Sequence, residues 1–131
     1  WMLRMDDCPL SVMVAFSATC RPWGLIESVA PRSRPEMIEA SIMPHEAYGT
    51  ALTAADVSEY AEIAARVEQP VVVPTQKAVR PEEVAVLRDA GVAALLIGAV
   101  VTGTETASMA EATTQFRAAI EATRPQRRRR H

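Results

Sequence analysis

The residues able to do chemistry fall at three places in the chain. Glu39, Ser41, His45 and Glu46 sit close together, and a carboxylate beside an imidazole can share a proton in an isomerase or lyase step. Lys77 is the only lysine. An ammonium in that position can bind phosphate, act as acid or base, or form a Schiff base. Thr75 and Gln76, just before it, add a hydroxyl and an amide. Gly98 and the turn Thr102-Gly103-Thr104 follow an apolar run. Each group also has a plainer reading. A loop His beside a Glu, and a loop Lys, are commonly solvated; Gly98 suits a strand-to-helix turn; and Thr102 to Thr104 suit a helix cap. Cys8 and Cys20, with eleven residues between them and no nearby His pair, fit no zinc spacing. There is no nucleophile elbow, P-loop, metal-ligand helix motif or Rossmann glycine fingerprint. Hydrolase, zinc-enzyme, kinase and dehydrogenase readings therefore have no support, and the sequence implies no cofactor.

Composition bounds what can position these groups. The 131 residues are 49% hydrophobic and 23% charged, which suits one globular core rather than two domains. No apolar run reaches the roughly 18 residues of a membrane span. The formal charge is -2, and of the 14 cationic side chains five are the arginines at 124 and 127–130. They leave nine bases against sixteen acids in the rest of the chain, a balance of -7, so the folded part is acidic and nucleic acid is not the expected partner. The arginine tail reads as a solvated end. No secretory segment is recognisable near the start, where Arg4, Asp6 and Asp7 break any apolar run. A cytoplasmic protein with two reduced thiols is the expectation. The chain starts at Trp1, not Met, which fits either additions before Met2 or Met5 or a piece of a longer reading frame.

Hydrophobic patterning divides the chain into an irregular segment at 1–35, regular β/α units at 36–123 and the basic tail at 124–131. The first segment holds prolines at 9, 22, 31 and 35, one candidate strand at Leu10 to Phe16 and a candidate short helix at Trp23 to Val29. Met37 to Met43 reads as a strand stopped by Pro44. Thr53 with Asp56 forms a capping-box pattern, opening a helix with Val57, Tyr60, Ala61, Ala64 and Val67 on one face. Val71-Val72-Val73 is a β-branched run suited to burial on both faces. Pro81, Glu82 and Glu83 open a second helix, which Gly91 ends. Val92 to Ile97 reads as another buried strand, and Ala107 to Thr123 as a last helix with Met109, Ala112, Phe116, Ala119 and Ile120 on one stripe. This alternation predicts an α/β fold with parallel strands and right-handed crossovers. Two closures are open: a half or partial (β/α)8 barrel, since a whole one needs about 200 residues or more, or a small open doubly wound sheet.

The run from Pro70 to Gly103, with its phrase Pro-Glu-Glu-Val…Leu…Ala-Gly-Val…Ile-Gly-Ala-Val-Val, resembles the seventh strand to the eighth-strand loop of the phosphate-binding TIM barrels. That group includes indole-glycerol-phosphate synthase, the tryptophan synthase α subunit, phosphoribosylanthranilate isomerase and thiamine-phosphate synthase. The resemblance covers 70–103 closely, 36–69 and 104–123 by alternation only, and 1–35 hardly at all. It implies the C-terminal half of a barrel acting on a small phosphorylated metabolite, as an isomerase, lyase or synthase. The phosphate would lie on Gly98, Ala99, Thr102 and Gly103, with backbone N–H groups and a helix N-terminus as the cradle. The group commonly has a glycine pair after the seventh strand, where this chain has Pro74-Thr75-Gln76-Lys77. Thr75, Gln76 and Lys77 would then complete the pocket by side chains, and His45, Glu46 and Lys77 are the catalytic candidates. A half-barrel has open edges and an uncovered sheet face, so a homo-oligomer is expected. The competing expectations are a non-catalytic anion- or partner-binding module, and a fragment whose acid and base groups lie in strands it lacks.

Overall fold

The computed structural model describes residues 10–33 and 35–123, apart from the side chains of 29–33. Cys8, the junction at Arg34 and the arginine tail lie outside the described residues. Four strands, β1 (Met13–Ser17), β2 (Met37–Ser41), β3 (Val71–Pro74) and β4 (Val92–Leu96), form one sheet in which every pairing is parallel and the order is β1-β2-β3-β4. Between them run α1 (Gly24–Ser33), α2 (Ala54–Arg66) and α3 (Val84–Asp89). A one-turn helix, α4 (Ala99–Thr102), follows β4, and α5 (Thr106–Thr123) closes the described chain. The fold is thus an open α/β sheet of parallel β/α units.

The strand order separates the two expected closures. A doubly wound sheet reverses its order at a switch point, whereas here each crossover steps to the next strand in the same direction. Right-handed connections that never reverse place all the helices on one face, and α1 packs on α2, α2 on α3 and α3 on α5.

The core lies between that helix layer and the sheet. Phe16, Ile38, Ala40, Ile42, Val71 and Val73 point into it from the strands, and Trp23, Ile26, Tyr60, Ile63, Leu87 and Phe116 meet them from the helices. Strand alternation sends the intervening residues to the other face: Met13, Ala15 and Ser17 on β1, Met37, Glu39 and Ser41 on β2, Val72 on β3, Ala94 and Leu96 on β4. No helix of the described residues covers this second face. Ala15, Ser17 and Ala94 are exposed there, and Met13 and Leu96 are among the exposed large apolar residues.

Local chemistry explains the element ends. Thr53 caps α2 by accepting from the Asp56 N–H at 3.2 Å, while the Asp56 carboxylate accepts from the Thr53 N–H at 2.8 Å. Gly91 adopts φ +93°, and a Cβ there would lie 2.8 Å from the Ala64 Cβ, so α2 packs directly on this turn. Pro81 to Glu83 form a turn of 3-10 helix, so the expected helix after Pro81 begins as α3 only at Val84.

Three expectations are corrected. The segment Val92 to Ile97 was expected to be buried, yet only Val92 is, while Ala93, Ala94 and Leu96 are exposed. The cause is position: β4 is the outer strand, and its helix-free side has no cover among the described residues. Met109 is likewise exposed, and the buried stripe of α5 is Ala112 and Phe116. Conversely Ile63, absent from the expected apolar stripe of α2, is fully buried.

Candidate functional site

The loops at the C-terminal ends of β2, β3 and β4 gather most of the chemically able residues, the end at which parallel α/β sheets hold ligands. After β2, Ile42 and Met43 stay buried and a 3-10 turn at His45–Ala47 leads to Tyr48. This loop is stitched to the one after β3 by backbone bonds, Gly49 N–H to the Gln76 carbonyl at 2.9 Å and Ala78 N–H to the Thr50 carbonyl at 2.8 Å. A bridge pairs Ala51 with Ala78. Thr75, Gln76 and Lys77 are thereby buried as a run, each committed to a different neighbour.

Gln76 turns toward β2. Its Oε1 accepts from the Met43 N–H at 3.1 Å, and its Nε2 donates to Ser41 Oγ at 2.9 Å and to Tyr48 Oη. A backbone N–H can only donate, so Oε1 must face Met43, and the amide hydrogens must face the two hydroxyls. Tyr48 also packs its ring on His45, with centroids 5.1 Å apart. Glu39 lies two residues before Ser41 on the same sheet face, between Ala15 and Val72 in register.

Lys77 turns the other way. Its ammonium lies 3.1 Å from the Asp56 carboxylate, with the two side chains only 8% and 16% exposed. The solvated loop lysine expected from sequence is therefore a structural ion pair at the start of α2. Burial alone would raise the Asp56 pKa, but hydrogen bonds from Thr53 and Lys77, together with the Lys77 charge, outweigh it and hold the carboxyl below its ordinary value.

Thr75 bridges β3 and β4. Its Oγ1 donates to the Leu96 carbonyl at 3.3 Å and accepts from the Gly98 N–H at 2.8 Å. Gly98 thus uses internally the N–H it was expected to offer an anion. Its backbone is extended, and the nearest atom to an added Cβ is the Thr75 hydroxyl at 3.8 Å, so no close approach demands glycine there. Thr102 donates to backbone carbonyls of Gly98 and Gly103, and the Gly103 N–H donates to Ala99. Among the described residues, Ala99 and Val100 are the backbone N–H groups of this turn without an acceptor.

The structure accordingly brings Thr75 and Gly98 together, and Ser41 and Gln76 together, while it draws Lys77 away from both pairs. His45 and Glu46 are exposed on the rim; His45 touches the cluster through Tyr48, and Glu46 makes no ion pair or side-chain hydrogen bond among the described residues. Tyr48, in the loop after Pro44, is a functional candidate that periodicity and motif spacing do not mark. The signal that could have placed it is Gly49, which supports the tight turn holding the loop against Gln76.

A separate cavity of ≈ 290 Å³ lies along β4 beside α3 and α5, lined by Leu87, Val92, Leu95 and Ile120 among others. It is largely apolar and holds none of the candidate residues. Among the described residues no cluster of His, Cys, Asp or Glu is arranged to hold a metal ion, and no helix is long and apolar enough to cross a membrane. No family model matches the chain, and no curated protein matches it.

Proposed function

We propose that this chain is a partial (β/α) barrel of the phosphate-binding type, which binds a small phosphorylated metabolite at the C-terminal end of its sheet for an isomerase, lyase or synthase reaction. The observation that carries the reading is topological: parallel strands in sequential order, with the last followed by a short extra helix before the long closing one. TIM barrels frequently hold a phosphate in that arrangement, on the loops after their last two strands and the short helix. In this chain the free N–H groups of Ala99 and Val100 are the anchors, and Thr75 and Gly98 support the loop instead of touching the ligand.

Amide-resolved NMR titration with inorganic phosphate and with glycerol 3-phosphate tests this reading. Shifts concentrated at residues 98–104 are expected, tighter for the organic phosphate. Unchanged amides there at high phosphate would remove the phosphate reading.

The uncovered sheet face favours a second property of the same protein, assembly with a second copy. Met13 and Leu96 stand exposed on that face, and among the described residues β1 and β4 each have one unpaired edge. Exposed apolar sheet surface of that kind is normally covered.

A further inference from the structure

We infer that Ser41 and Tyr48, polarised by Gln76, form a two-donor site for the oxygen of a small carbonyl compound, with Glu39 beside it as the proton-transfer group. The inference deepens the proposed function: it assigns the carbonyl end of the substrate to β2 and β3, and rests on that reading only for the end of the sheet at which ligands enter.

The donor pair follows from the hydrogen-bond bookkeeping. Gln76 is 7% exposed, and its amide orientation is fixed by the Met43 N–H. Both hydroxyl oxygens accept from Nε2, so each keeps its own hydrogen. Among the described residues neither hydrogen has an acceptor. Two hydroxyls already accepting from one amide are better donors for it, and both stand at the accessible rim, with Tyr48 exposed. Loop stitching does not require the Tyr48 contact, because the Gly49 and Ala78 backbone bonds already join the two loops.

Glu39 supplies the second half. Of the described strand residues on the helix-free face it is the only ionisable one, and its register neighbours are Ala15 and Val72. Charges on outer strands discourage sheet pairing, but β2 is an interior strand. A carboxylate there, two residues from Ser41 along the strand, is within a small molecule's reach of the donor pair. The step is an enolisation. Glu39 takes a proton from the carbon next to the carbonyl, and the C–H electron pair becomes the C=C bond. The carbonyl π pair moves onto oxygen, where the Ser41 and Tyr48 hydrogens hold it. Return of a proton from Glu39 to the same carbon restores the carbonyl and completes a hydrogen exchange at that carbon.

Pyruvate is the probe, used with the full chain. Titration should shift the Met43 amide and the Gln76 side-chain NH2, and in D2O the pyruvate methyl hydrogens should exchange faster with protein than without. The double variant Ser41→Ala, Tyr48→Phe should weaken binding about tenfold or more while keeping its native spectrum. Glu39→Gln should bind pyruvate with similar affinity and lose the exchange. Absence of shifts at Met43 and Gln76, undiminished binding in the double variant, or exchange surviving in Glu39→Gln would each overturn the inference. Phosphate shifts at 98–104 report on the other reading separately: their absence leaves a pyruvate response at Gln76 standing, and their presence without one overturns this inference alone.

Discussion

Lys77 Nζ lies 3.1 Å from Asp56, and Asp56 also receives the Thr53 N–H and hydroxyl at 2.8 Å each. Removing one member of a buried pair leaves the other desolvated without compensation. Lys77→Met should therefore cost roughly 2–4 kcal/mol of stability, below the fully buried limit because Asp56 keeps its Thr53 partners. Chemical denaturation checks the loss. Because the folded Asp56 pKa is depressed, its stabilising contribution is complete above the unfolded value of about 3.9 and is lost as pH falls through the folded one. Asp56→Asn should flatten that acid limb of the stability profile. Tyr60 gives the opposite case. It is buried in the core, its hydroxyl has no partner among the described residues, and burial, reinforced by the nearby Asp56 and Glu59 carboxylates, pushes its pKa well up. A raised folded pKa keeps stability intact below about pH 10 and loses it as pH climbs above that. Tyr60→Phe should remove this alkaline loss and leave stability at neutral pH equal or up to about 1 kcal/mol higher, since an unsatisfied hydroxyl is deleted. A thermal melt at pH 7 and another at pH 10.5 distinguish the two effects.

Among the elements, α2 packs closely on the α3–β4 turn. Gly91 combines a positive φ with a Cβ position 2.8 Å from Ala64, so Gly91→Ala meets both backbone strain and a carbon that cannot move without shifting α2. A loss of roughly 1–3 kcal/mol is expected. Gly98→Ala, extended and meeting only an ordinary contact with the Thr75 hydroxyl at 3.8 Å, should change stability little. Urea titration of the two variants side by side tests the contrast, and equal losses would contradict the packing account. Much at this scale was legible in the sequence. The Thr53–Asp56 box, Gly91 as a helix stop, and the strands around Val71 to Val73 all depend on near neighbours or on burial common to both faces. The β4 segment misled because an apolar run carries no mark of which faces will be covered. Ala94 and Leu96 are as apolar in sequence as Val71, and only their place on the outer strand exposes them.

At the scale of the whole molecule, the helix-free sheet face dominates. It presents Met13, Ala15, Ala94 and Leu96 around Glu39, with β1 and β4 as its unpaired edges among the described residues. If a second copy packs on its apolar margins at Met13 and Leu96, leaving Glu39 and Ser41 open to a ligand, light scattering should give at least twice the chain mass, and Leu96→Glu with Met13→Glu should return the protein to a monomer with its helix content intact. A monodisperse monomer of the unmodified chain would remove the assembly reading while leaving the fold unchanged.

The sequence alone determined the alternation of strand and helix, the parallel class of the sheet and the caps, because these rest on periodicity, propensity and residues three or four apart. It also placed the candidate side chains at the C-terminal end of the strands. Tertiary structure decided which of them act together. Gln76 and Lys77 are adjacent in the chain, yet they point to partners 35 and 21 residues away, Ser41 and Asp56. That divergence makes Lys77 part of the scaffold and joins Gln76 with Ser41 and Tyr48, since only the folded chain sets which distant groups a buried polar atom must satisfy.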